Sequence, residues 1–240
     1  MLSVAYCGSP PDPAELLLRW NLDPLLLALL SLGAILLFRR AEQGQRPLLL
    51  GAMLILLIVF VSPLCALSSA LFSARVVHHV LLVAGAAPLL AFALPAAGER
   101  SVAQPFAVST ITLWLWHVPG IYTTALQHAG LYWLMQLSLL GTAFWFWRAI
   151  ASARAELPIA LVTIAAAIGQ MGLLGALLTF APQALYPHHF TAPLAFGLGP
   201  LEDQQLAGLI MWVPAMIPYG LVAAWIGRRA WSSGWAHRAA

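Results

Sequence analysis

The sequence predicts an all-α, polytopic membrane bundle: seven transmembrane helices in one integral membrane domain spanning residues 1–240, N-terminus outside and C-terminus inside. Three observations predict it. Of the 240 residues, 62% are hydrophobic and 8% charged, with a mean hydropathy of +0.88, far from the balance of a soluble domain. Several apolar runs approach or exceed the roughly 20 residues an α-helix needs to cross about 30 Å of hydrocarbon, and the alternation of a membrane barrel is absent. The arginines are unevenly distributed between the two ends of those runs.

The expected spans are 23–38, 47–66, 76–95, 105–122, 130–149, 157–180 and 204–227, joined by short loops, with no soluble domain, heptad pattern or repeat. The leading stretch MLSVAYCGSPPDPAE lacks the basic and apolar regions of a cleaved signal, so the first span is expected to act as an uncleaved anchor. The third span opens on His78 and His79, and the fourth carries WLWHVPGIY around His117. The sixth carries Ala165, Gly169, Gly172 and Ala176 at helical spacing, a small-residue face suited to close helix approach. The seventh opens on LEDQQLAGLIMW. Pro63, Pro88, Pro119, Pro158, Pro214 and Pro218 lie near ends or inside spans, and interior ones such as Pro88 and Pro214 should kink their helices and free carbonyls.

Orientation follows from the retention of basic residues near short loops on the cytoplasmic side. All eleven basic residues are arginine. Arg39, Arg40, Arg46, Arg100, Arg148, Arg154, Arg228, Arg229 and Arg238 fall on one side, leaving Arg19 and Arg75 on the other. They sit at helix ends and form no clustered basic face, so the sequence pI near 9.2 does not indicate a nucleic-acid partner. This orientation sorts the histidines without any motif. His78, His79, His117, His128, His188 and His189 fall outside and His237 inside, with Cys7, Cys65, Met135, Asp203 and Met211 also at or near the outer face.

A histidine within a membrane helix is costly to leave unpaired and marks a functional site by default. His117 fits, although Trp114 and Trp116 also fit an interfacial aromatic belt in which a histidine simply meets water or a carbonyl. His78 and His79 stand roughly 100° apart on a helix, so one can face a shared interior site while the other meets a different neighbour. Imidazole suits copper, zinc and iron, thioether favours Cu(I), and a carboxylate can complete or orient a site. The set His79, His117, His78, Asp203 and Met211 therefore has the chemistry of a copper site. Asp203 alternatively caps a helix N-terminus, where negative charge is favoured. His188 and His189 in PHHF form a weaker candidate pair for metal capture. Cys7 and Cys65 lie where oxidation is permitted, so they can form a disulfide. Neither belongs to a CxxC or CxxCH pattern, which removes the sequence argument for a thioredoxin-like or covalent-haem site.

The segments FSARVVHHVLLVAGAAPLL, WLWHVPGIY and GPLEDQQLAGLIMW, in this order over the spans, resemble the multi-spanning CtaG family of cytochrome c oxidase assembly factors, from roughly residue 47 to 227. That family is distinct from the single-span periplasmic copper chaperone sharing its name. The resemblance implies a multi-pass protein of the bacterial inner (plasma) membrane that serves maturation of the haem-copper oxidase by handling copper. It places the family motifs on His79, on His117, and on Asp203, Gln204, Gly208, Met211 and Trp212. The chain departs at Arg75, where many members carry histidine, and at Tyr132, Met135 and Gln136, where many carry H-x-x-E-H. If those positions ligate metal in relatives, this chain has an altered site, in which His78, His128, His188 and His189 are candidate substitutes.

The leading expectation is therefore a non-enzymatic assembly factor that holds copper at the periplasmic face. It would pass the metal to cytochrome c oxidase subunits, directly or through a soluble periplasmic copper carrier, with membrane lipid as its other partner. Three readings compete. His79 and His117 can serve as the axial pair of a haem-b protein, and the chain can be a transporter for copper or another small solute. Against transport, Glu42, Glu99 and Glu156 sit in loops and build no charged path across the bilayer. The last is a purely structural chaperone that docks oxidase subunits through aromatic surface.

Overall fold

The computed structural model describes residues 6–94, 101–152 and 156–236. Glu99, Arg100, Arg154, His237 and Arg238 lie outside the described residues. Among the described residues the regular elements are helical, without a strand. In order they are α1 (Pro24–Arg40), α2 (Arg46–Phe60), α3 (Pro63–Ala70), α4 (Phe72–Val80), α5 (Ala87–Ala93), α6 (Ala103–Trp116), α7 (Pro119–Gln127), α8 (Ala129–Ala151), α9 (Leu157–Thr179), α10 (Pro200–Trp212) and α11 (Met216–Ala236), with short 3-10 turns between some of them.

Four described stretches are long and apolar enough to cross a bilayer: Gln43–Phe60, Phe72–Ala93, Leu157–Thr179 and Pro200–Ser232. They coincide with the second, third, sixth and seventh expected spans. The other three expected spans are also helical but shorter or more polar. α1 has 17 residues, α6 has 14, and α8, with 23, carries Tyr132, Gln136 and Arg148 among its apolar residues.

Prolines divide several expected spans. A proline ring cannot donate a backbone hydrogen bond and crowds the preceding turn, so α2 ends before Pro63 and α3 restarts on it, with the Ser62 hydroxyl accepting from Leu64 N. Likewise α6 stops at Trp116 and α7 restarts at Pro119, leaving His117 in the break. Pro214 stands between α10 and α11. The Pro88 perturbation takes another form: a π-helical segment, Leu81–Ala86, joins α4 to α5. In that i→i+5 register the partner of residue 88 would be the Val83 carbonyl, and proline cannot donate to it. The Trp147 indole donates to Val83 O instead, at 2.9 Å.

α4 runs through the interior, with Phe72, Ser73, Ala74, Arg75, Val76, His78 and His79 buried. α10 packs along both α4 and α9, while α8 packs against α5, α6 and the π segment. A close helix approach pairs Gly175 of α9 with Gly208 of α10: a Cβ at Gly175 would lie 2.8 Å from Gly208 O. This corrects the small-residue face read from sequence. Ala165 and Gly169 are exposed, and a Cβ at Gly169 would meet nothing within 4 Å. The contact runs through Gly172, Gly175 and Thr179, one side further round α9. Cys7 and Cys65 form a disulfide tying the N-terminal segment to α3.

Candidate functional site

The Asp203 carboxylate holds the start of α4. It accepts from Phe72 N at 2.6 Å and Ser73 N at 3.1 Å, and also from the Ser73 hydroxyl. An anion is favoured at a helix N-terminus, where unpaired N–H groups and the helix dipole coincide. Capping and site architecture are thus joined, but across two helices: Asp203 sits on α10 and caps α4. Its neighbour Gln204 accepts from Leu185 N at 2.6 Å and donates to Leu178 O at 3.2 Å. That bond set fastens the loop before α10 to the end of α9.

From this fixed start α4 carries three large polar side chains into the bundle. Arg75, His78 and His79 follow an i, i+3, i+4 pattern, which places them on one side of the helix. His78 meets Phe60 edge-on at a ring separation of 5.3 Å and His79 at 5.8 Å. His79 faces His117 at 6.1 Å, the two rings nearly perpendicular. All three imidazoles are buried.

The proline break orients His117. Its Nδ1 lies 2.7 Å from Leu113 O; the carbonyl can only accept, so Nδ1 carries the proton and Nε2 the lone pair. A backbone carbonyl that fixes the tautomer in this way is a common support for a metal-binding histidine. The His117 carbonyl accepts in turn from the Tyr186 hydroxyl at 2.8 Å. Neither ring nitrogen of His78 or His79 has a hydrogen-bond partner.

The remaining predicted residues lie elsewhere in the bundle and its loops. Met211 is buried two turns along α10 from Asp203, on the helix that lines α4. His128 is exposed at the α7–α8 junction. His189 is buried and fully engaged, Nε2 2.8 Å from the Tyr122 hydroxyl and Nδ1 3.1 Å from Ala70 O. Burial, helped by the nearby charges of His188 and Arg75, pushes its pKa down to about 3. That bond pattern makes His189 a strut rather than a capture ligand. His188 beside it is also held below the usual imidazole range by burial.

Among the described residues no group of three or more His, Cys, Asp or Glu side chains gathers as a metal site. The fit to a metal therefore rests on the imidazole pair. With imidazole nitrogen to metal bonds of about 2.0–2.1 Å, two rings sharing one ion stand no more than roughly 6.5 Å apart between centres, and the His79–His117 separation satisfies this. Two nitrogen donors with a thioether-bearing helix alongside suit a soft, low-coordinate ion such as Cu(I).

Arg75 escaped the sequence reading as a site residue. Grouped by charge alone it counts as an outer-side arginine, but its side chain is fully buried over the Tyr132 ring, 5.4 Å from the ring centre. The signal that would have found it is its spacing from His78 and His79. Tyr122 and Tyr186 were likewise missed, because each bonds a residue more than 60 positions away, Tyr122 to His189 and Tyr186 to the His117 carbonyl.

The fold and the buried imidazole pair together define a helical membrane protein with a polar centre at one end of its bundle. The family model described as cytochrome c oxidase caa3 assembly factor (Caa3_CtaG) matches residues 100–233, and the chain belongs to that family. The match includes His117, Asp203 and Met211, while His78 and His79 precede it. No curated protein and no solved structure matches the chain.

Proposed function

We propose that this assembly factor binds Cu(I) between His79 and His117 and releases it for insertion into cytochrome c oxidase. The observation that carries the reading is the approach of these two buried imidazoles from different helices to 6.1 Å. His78 and Met211 are the reserve donors on the flanking surfaces, and Asp203 acts by holding the helix that presents His79. Two strong donors supplemented by weaker ones give a site from which copper can be exchanged, as a carrier needs. In this reading the chain crosses the bacterial inner membrane with seven spans and its N-terminus outside, which would put the pair toward the periplasm. The recipient is an oxidase subunit, reached directly or through a soluble copper carrier.

Competition with a coloured Cu(I) chelator, using metal-free protein in detergent, tests the reading. His79→Ala and His117→Ala should each weaken binding by at least about tenfold, the equivalent of one lost donor interaction of ~1.4 kcal/mol. Unchanged affinity in both variants overturns it. A Soret band in the purified wild type would instead assign the same pair to haem.

A further inference from the structure

Arg75 is a side chain whose surroundings leave its charge unanswered. It is fully buried, and none of Nε, Nη1 and Nη2 has a hydrogen-bond partner. A buried lysine or histidine can escape this situation by losing its proton. Arginine cannot, because its guanidinium stays charged at any pH a protein survives. The cost of such an uncompensated cation is several kcal/mol, so its surroundings should supply an acceptor.

The protein's own groups supply no anionic partner: the Tyr122 and Tyr132 hydroxyls lie near the guanidinium, but no acceptor meets it at full hydrogen-bond geometry. The nearby acidic residue on α10, Asp203, has both oxygens committed to the α4 N-terminus. Tyr132 presents its ring face to the guanidinium, which stabilises the charge but leaves the in-plane N–H groups unanswered. The other side chains gathered here carry both donors and neutral acceptors, and none of them brings a negative charge. His78 and His79 have no partner at either nitrogen, and the Gln136 carboxamide, one turn beyond Tyr132 on α8, has none at its nitrogen or its oxygen. Four buried polar side chains from α4 and α8 thus leave their hydrogen-bonding capacity unused in one neighbourhood, and one of them bears a permanent positive charge.

We propose that Arg75 anchors a binding site for a small monovalent anion, either a halide or a compact carboxylate such as formate or bicarbonate. The charge count favours a monoanion: Arg75 contributes one positive charge, and a dianion would leave excess negative charge in a low-dielectric interior. The site stands independently of copper binding, and its test uses metal-free protein.

The experiment is a chloride titration of that protein at constant ionic strength, balanced with isethionate and followed by the ³⁵Cl line width. Wild type should show saturable excess broadening that Arg75→Gln loses, and chloride should raise the thermal midpoint of wild type alone. Displacement of the chloride signal by formate or bicarbonate assigns the site to carboxylates, and persistence assigns it to halide. Absence of saturable broadening in wild type, or equal broadening in Arg75→Gln, overturns the proposal. Should Arg75→Gln fail to fold, bromide-soaked wild-type crystals decide: an anomalous peak within hydrogen-bond reach of Arg75 supports the site, and a clean map there sinks it.

Discussion

Asp203 caps a helix that lies 130 residues before it in the chain: its carboxylate receives the backbone N–H groups of Phe72 and Ser73. The group that seats α4 thus comes from the last third of the sequence, and the seat is buried. Replacing it with alanine strands two buried donors, each worth about 1–3 kcal/mol when left unsatisfied. Asp203→Ala should therefore lower the thermal midpoint in detergent and, under the proposed function, weaken copper binding through His79. Asp203→Asn, which keeps one acceptor oxygen, should recover part of both.

The His189 strut carries a defined pH dependence. Its pKa is about 3 in the folded protein against roughly 6.5 when unfolded, so protons bind the unfolded chain more tightly. Its contribution is complete above pH about 6.5 and is lost as pH falls from there toward 3. Protonation also puts a hydrogen on Nε2, which accepts from Tyr122. Thermal unfolding between pH 8 and 4 should show a falling midpoint, and His189→Gln should flatten that slope. An identical slope in the variant would assign the acid sensitivity elsewhere.

The helix approach at Gly208 is expected to tolerate no added methyl group. A Cβ there would strike Thr179 and the Gly175 carbonyl, the latter being backbone, and overpacking of this kind costs about 1–3 kcal/mol. Gly208→Ala should be destabilised accordingly, while Gly169→Ala, with open space at that position, should be close to neutral. Thermal scans of the pair fix which face of α9 meets α10.

Breaking the Cys7–Cys65 link, which closes a sequence separation of 58 residues, removes about 4 kcal/mol on a loop-entropy account. The Cys7→Ser, Cys65→Ser double variant, or wild type under reductant, should unfold at lower temperature than the oxidised protein. Equal midpoints would show that the N-terminal segment is held by its other contacts, among them the Tyr6 hydroxyl on Asp23.

The helical class was legible because hydropathy is a property of composition, but the expected spans 47–66 and 105–122 ran through Pro63 and Pro119, where the helices in fact break, because continuous hydropathy hides a local backbone break. The gathering of His79 with His117 was foreshadowed by sorting residues to one end of the bundle. Residues read in the wrong frame were those whose role depends on rotation about a helix or on a distant partner. Gly175 lies only three residues from Gly172, but which small residues meet α10 depends on how α9 is turned. Asp203 suggested a cap, but the capped helix is set by packing. Arg75 was counted by its charge when its depth was what mattered.

The phenol of Tyr186 ties the loop before α10 to the His117 carbonyl, and the same loop is pinned at Leu185 by Gln204 and at His189 by Tyr122. A protein that grips this segment pulls on the backbone of His117. Under the proposed function, arrival of the recipient and loosening of the cargo would then be a single mechanical event, without any need for a moving helix.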